Sequence, residues 1–265
     1  MEVILSAALL VIGLVMLCFG GNWLVSGGVG IAKKFRISNL VIGLTIVAYG
    51  TSTPELAASI AAAGDHGAII LGNIIGSNIA NVGMVIGVSA ILIPVAIQKS
   101  VFRKEIPIML GVSLLLVLLS IDGELSQYDG ALLLVGLGVF AFFTFRDALK
   151  QRTTTQDNSE NTQNNIYVKY FGLIGIGIVV LYIGAILTVD NAVIIASEFG
   201  LSEKIIGLTV IAIGTSLPEL ITSIIAIRKG HSDVGIGNII GSNIYNILMI
   251  MGVGAALGGV LTTSD

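Results

Sequence analysis

Charge is what this chain has least of. Of its 265 residues, 13 are Lys or Arg and 16 are Asp or Glu, 11% together, against about 25% in an ordinary soluble domain. That is too little to coat a water-facing surface. Cysteine is nearly absent too: the lone Cys18 allows no intrachain disulfide and lies in an apolar stretch. The net charge of −3 offers no basic excess for a polyanion, so a nucleic-acid partner is excluded. No nucleophile–base pair, phosphate-binding loop or cofactor motif stands out, so the sequence does not read as an enzyme and no cofactor is expected. The start, Met1-Glu2-Val3, lacks the positive n-region of a cleavable signal peptide, and the first apolar segment is expected to be permanent.

What is there is hydrocarbon. Hydrophobic residues make up 55% of the chain, with a mean hydropathy of +0.99. Charge-free runs cover 3–32, 67–98 and 106–121, near or above the ~18-residue length of a membrane span. The pattern predicts an all-α polytopic membrane protein with eight spans, near 3–25, 38–63, 67–96, 106–121, 130–145, 170–197, 202–227 and 234–261. The fourth and fifth are short for ~30 Å of hydrocarbon. A polar stretch with TTTQDNSENTQNN at its core divides the chain into 1–148, a linker 149–168, and 169–265. Eight spans put every Lys and Arg except Lys204 on one side. The positive-inside rule then predicts a multi-pass cell-membrane protein with an outer N-terminus and a cytoplasmic linker.

The chain also repeats itself. SNLVIGLTIVAYGTSTPELAASIAAA from Ser38 matches SEKIIGLTVIAIGTSLPELITSIIAI from Ser202, and GNIIGSNIAN from Gly72 matches GNIIGSNIYN from Gly237. Five spans precede the second copy, so the copies enter the membrane from opposite sides. Inverted repeats of this kind build secondary transporters with a midplane site.

Each GTSxPE motif falls near the middle of its span. Proline removes a backbone donor and glycine loosens the helix before it, which predicts broken helices with freed carbonyls at the midplane. Such breaks persist only inside protein or beside a wet cavity. Gly-Thr-Ser-x-Pro alone is also a common packing kink, its hydroxyls satisfying the backbone. Glu55 and Glu219 weigh against that simple reading, because a carboxylate at membrane depth costs at least ~2.5–3.5 kcal/mol and no cationic side chain lies at that depth in these spans. In the second motif, GxxxG spacing assigns Gly72 and Gly76 to close helix packing. Ser77 and Asn81 lie four apart on one helix face, as do Ser242 and Asn246. Asn73, Asn78, Asn238 and Asn243 fit helix–helix hydrogen bonds or ion contact equally well. Together with the Thr and Ser hydroxyls these are hard oxygen donors, suited to Ca²⁺ or Na⁺ rather than to soft metals. Two carboxylates balance one divalent ion or two monovalent ions, which is what an antiporter needs.

The pair GTSTPE…GNIIGSNIAN and GTSLPE…GNIIGSNIYN resembles the α-repeats of the sodium/calcium exchanger family. The resemblance implies a Ca²⁺ site between Glu55 and Glu219 completed by Thr51 and Thr215. It implies flanking Na⁺ sites at Ser52, Ser77, Ser216 and Ser242 with the carbonyls of Ala48 and Ala212, and a centre completed by Asn81 and Asn246. It implies antiport of Na⁺ against Ca²⁺ in a lipid bilayer by a monomer, with the first and sixth helices sliding over a fixed core. Potassium-dependent relatives usually have aspartate where this chain has Asn246, and proton-coupled ones a GNATE-like sequence, so Na⁺ is the expected counter-ion. A Ca²⁺/H⁺ antiporter and, less favoured, a cation channel are the alternatives. The family normally has ten helices; eight here imply a shortened form of a longer parent.

Overall fold

The computed structural model describes residues 2–62, 67–94, 97–150, 165–201, 210, 212–258 and 261–262. Nearly all of them are helical, as the uninterrupted apolar runs require: in hydrocarbon a backbone must satisfy its own donors and acceptors. The helices are α1 (Glu2–Phe35), α2 (Asn39–Ile42), α3 (Ala48–Thr51), α4 (Thr53–Ala62), α5 (Gly67–Ala80), α6 (Ile86–Leu92), α7 (Ile106–Leu119), α8 (Gln127–Lys150), α9 (Asn165–Glu198), α10 (Ala212–Thr215), α11 (Leu217–Arg228), α12 (Ser232–Tyr245) and α13 (Gly252–Gly258). Wider π turns join α2 to α3 (Gly43–Val47), α5 to α6 (Asn81–Val85) and α12 to α13 (Asn246–Met251).

Five described helices are each long and apolar enough to cross a membrane, and the bent pair Asn39–Thr51 and Thr53–Ile60 makes a sixth. The other two expected spans are shorter: α7 preceded by a π turn at Val101–Glu105, and α10 with α11. Most of the 202–227 span upstream of α10 lies outside the described residues.

Several helix ends differ from the expected spans. The fifth runs 24 residues rather than the 16 of 130–145: Asp129 accepts from Ser126 N and Oγ at its start, Asp147 pairs with Lys104 near its end, and the charged residues stay helical. The first and sixth are each 34 residues, about 51 Å at 1.5 Å per residue, and project beyond the bilayer or tilt in it. Helix continues to Lys150 and resumes at Asn165, entering both ends of the 149–168 stretch. The eighth stops at Gly258; Leu261, expected inside it, instead pairs antiparallel with Leu125, and Thr262 with Glu124. These two-residue strands are the sole β structure among the described residues.

Packing follows the glycines. α1 and α9 lie antiparallel, and a methyl group on Gly20 would sit 2.8 Å from Leu181 N and 3.0 Å from the Gly177 carbonyl oxygen. One on Gly184 would meet the Gly13 carbonyl at 3.0 Å. The contacts Gly13–Gly184 and Gly20–Gly177 exchange under the 164-residue repeat, so the pseudo-two-fold axis passes between these helices. Leu17, Leu24 and Val25 of α1, Ile174 and Leu181 of α9 and Ala226 of α11 share one core.

A second core wraps α12. Leu116 of α7 and Leu133 and Phe140 of α8 pack with Ile244, Ile247 and Leu248, and 83% of the apolar window of Ser232–Leu257 is buried. Its repeat-mate Ile70–Leu92 is 28% buried, leaving Ile75, Ile79 and Val82 exposed. Beside them lies an apolar groove of about 890 Å³, bordered by Leu110 and Val117 of α7 and by Asn78 and Asn243. The GxxxG pair behaves as differently. A methyl on Gly237 would meet Leu40 O at 2.7 Å, whereas one on Gly72 would meet nothing within 4 Å, contrary to the packing role expected of Gly72.

Candidate cation site

Local backbone chemistry places the site. α3 ends at Ser52 (φ −83°, ψ 6°), and α4 leaves at 43° to the incoming segment. Ser216 (φ −88°, ψ 0°) stands at the same position before α11, whose first turn contains Pro218. The expected kinks are therefore both present, one in each repeat. Asn81 and Asn246 each open a π turn, a feature that recurs at functional sites.

These four breaks converge. Glu55, Glu219, Thr51, Ser52, Ser77, Asn81, Ser216, Ser242 and Asn246 are all fully buried, and Thr215 is 9% exposed. The bonds that join them cross from one repeat to the other. Ser52 Oγ donates to Glu219 Oε1 at 3.2 Å, Thr51 Oγ1 lies 3.3 Å from Ser242 Oγ, and Asn246 Nδ2 donates to Ser77 Oγ at 3.2 Å. Glu55 is close enough to Glu219 for their charges to interact. The Ala48 carbonyl accepts from Ser52 N at 3.0 Å and from Thr51 Oγ1 at 3.2 Å, while Ala212 opens α10. All twelve expected residues thus fall on the four broken segments.

The unpaired atoms define the chemistry. Among the described residues, eight buried side-chain atoms have no hydrogen-bond partner. Five belong to the site: both oxygens of Glu55, Glu219 Oε2, Asn81 Oδ1 and Asn246 Oδ1. Every one is an acceptor. Buried acceptors left bare cost free energy, and a cation is the partner that satisfies them together. The donor set is all oxygen, as Ca²⁺ or Na⁺ prefers.

The structure also resolves the four ambiguous asparagines, each of which bonds to protein. Asn238 Oδ1 accepts from Thr51 Oγ1 at 3.0 Å while its Nδ2 reaches Ser223 Oγ at 2.9 Å. Asn73 Oδ1 accepts from Thr215 Oγ1 at 3.5 Å. Asn78 and Asn243 contact the amides of Asn246 and Asn81. The other three unpaired atoms, Ser59 Oγ, Ser89 Oγ and Thr222 Oγ1, were not singled out in the sequence. Ser59 and Thr222 follow the glutamates by about one turn, a spacing that would have flagged them.

Broken helices from two inverted copies, meeting around bare oxygen acceptors at mid-membrane, define a secondary transporter of cations. The family described as sodium/calcium exchanger protein matches residues 5–146 and 169–265. Inner membrane protein YrbG of Escherichia coli (strain K12) is 37% identical over 261 residues, covering 96% of this chain and 80% of its own. Sodium/calcium exchanger MaX1 of Methanosarcina acetivorans is 32% identical, covering 92% and 81%. A structure of the sodium-calcium exchanger NCX_Mj soaked with zero Na⁺ and Ca²⁺ superposes with a TM-score of 0.84 at 36% identity, over 99% of this chain and 85% of that one. The chain belongs to the sodium/calcium exchanger family and is a multi-pass membrane protein of the cation/Ca²⁺ antiporter kind.

Proposed function

We propose that the chain exchanges Na⁺ for Ca²⁺ by alternating access and uses the inward Na⁺ gradient to expel Ca²⁺. The observation that carries this reading is the set of five bare acceptors on Glu55, Glu219, Asn81 and Asn246. In this reading Ca²⁺ sits between Glu55 and Glu219 with Thr51 and Thr215. Na⁺ takes flanking positions at Ser52, Ser77, Ser216 and Ser242 with the carbonyls of Ala48 and Ala212. The Thr51 hydroxyl proton stays with Asn238 Oδ1 at 3.0 Å, which leaves a lone pair of Thr51 Oγ1 for the ion. Either load neutralises the two carboxylates, and the empty site stays costly, which couples the fluxes. The names of MaX1 and NCX_Mj support Na⁺ as counter-ion.

The protein works as a monomer, without enzyme chemistry or cofactor, with its N-terminus outside and the linker 149–168 in the cytoplasm. Three polar contacts support the shared side of the basic loops: Gln98 with Asp233 at 2.9 Å, Lys229 with Ser26 at 2.8 Å, and Lys104 with Asp147.

The test is ⁴⁵Ca²⁺ uptake into Na⁺-loaded proteoliposomes diluted into Na⁺-free buffer. Uptake should follow the Na⁺ gradient and ignore a pH gradient. The reverse would establish Ca²⁺/H⁺ exchange, since two buried carboxylates also hold protons, and flux needing no counter-gradient would establish a channel.

A further inference from the structure

Asn81 and Asn246 serve a cation only through their oxygens. A carboxamide carries an acceptor on one tip and two donors on the other, nearly equal in size. A half-turn of the side chain would aim N–H groups at the ion and turn attraction into repulsion. A site that uses asparagine as an oxygen ligand therefore needs something to hold its polarity.

Asn78 is placed to do this. Its Nδ2 donates to the backbone carbonyl of Asn243 at 3.3 Å. A carbonyl only accepts, so that tip of Asn78 is fixed as nitrogen and the other, Oδ1, faces Asn246. There it accepts from Asn246 Nδ2 at 3.1 Å. Ser77 Oγ, its own proton directed to Ile74 O at 3.1 Å, accepts from the same Nδ2 at 3.2 Å. Both N–H groups of Asn246 are engaged, and its oxygen is left bare among the site atoms. The amide pair recurs in the other copy: Asn81 Nδ2 donates to Asn243 Oδ1 at 3.4 Å, Asn81 Oδ1 is bare, and Asn243 Nδ2 is turned away to Met109 Sδ at 3.5 Å.

We infer that Asn78 and Asn243 are positioning residues, not ion ligands, and that each locks the amide of the opposite repeat with its oxygen toward the cation. The inference rests on the cation site proposed above. It gives a reason for the spacing Asn-x-x-Asn in both copies: the first asparagine of each copy orients the second asparagine of the other.

Equilibrium Ca²⁺ binding to the purified chain, followed by titration calorimetry, tests it. Asn78→Leu should weaken binding about tenfold, the scale of one hydrogen bond to a charge-bearing site. In an Asn246→Asp background both tips of residue 246 are oxygen and polarity no longer matters. There Asn78→Leu should change the dissociation constant by less than about twofold, a non-additivity that direct coupling requires. An equal loss in both backgrounds, or no loss in the first, overturns the inference. The measurement needs no counter-ion, so a proton-coupled flux would correct the proposed function and leave this result standing. An unaltered chain that binds no Ca²⁺ would remove the site and the inference together.

Discussion

A glutamate at membrane depth costs at least ~2.5–3.5 kcal/mol on insertion scales, and this fold buries two within range of each other's charge. Among the described residues the ion pairs are Lys104 with Glu105 and with Asp147, so neither glutamate is neutralised by a side chain there. The imbalance is what a travelling cation removes. At a Ca²⁺ concentration about 100 times the dissociation constant, the site should raise stability by about 2.7 kcal/mol, read as a Ca²⁺-dependent rise in Tm. Glu55→Gln and Glu219→Gln should each abolish that rise and Na⁺-driven ⁴⁵Ca²⁺ uptake; transport near the original rate in either variant would take that residue out of the site. Ser52 acts at one remove, through its 3.2 Å bond to Glu219 Oε1. Ser52→Ala should weaken Ca²⁺ binding by about tenfold or more, the worth of a hydrogen bond to a charged group.

Helices whose backbones touch tolerate no side chain at the crossing, and the repeat provides its own control. Gly237 and Gly72 occupy the same place in the same motif. Gly237→Ala would drive a methyl into Leu40 O and Leu44 N at 2.7 and 2.9 Å and should cost about 1–3 kcal/mol through overpacking. Gly72→Ala meets nothing within 4 Å and should be neutral or gain up to about 1 kcal/mol from helix propensity. Thermal unfolding in detergent compares the two. The turn between α11 and α12 adds a pH term. Burial first, then the charges of Lys33 and Lys229, push the His231 imidazole below its ordinary range. Below about pH 6.5 the unfolded chain therefore binds a proton that the folded chain resists, and stability falls with pH. His231→Gln should flatten the acid side of the Tm profile; an unchanged slope would assign it to other groups.

Across the whole molecule, what the sequence revealed is what it states twice. The inverted copies, both kinks and eight of the twelve expected site residues are written in GTSxPE and GNIIGSN, with Ala48, Ala212, Asn81 and Asn246 just outside them, and chance does not place two such pairs in register. What it concealed depends on partners far along the chain. Asn78 and Asn243 looked the same as ligands until the fold set each against an amide of the other copy, 168 and 162 residues away along the chain. Helix lengths were underread for a different reason: Arg146, Asp147 and Lys150 ended a hydropathy window but did not end a helix. The proposed orientation rests on an even number of crossings, which would gather the basic loops at one end and leave the strands Glu124–Leu125 and Leu261–Thr262 at the other. Cells carrying Cys18→Ser with a single new cysteine test this with a membrane-impermeant maleimide. A cysteine at Asn158 should label only after the cells are opened, whereas one at Tyr128, 88% exposed at the start of α8, should label on intact cells. Labelling of both from outside would mean an even number of crossings between them. The two copies would then no longer be inverted, and alternating access about their shared axis would lose its geometric basis.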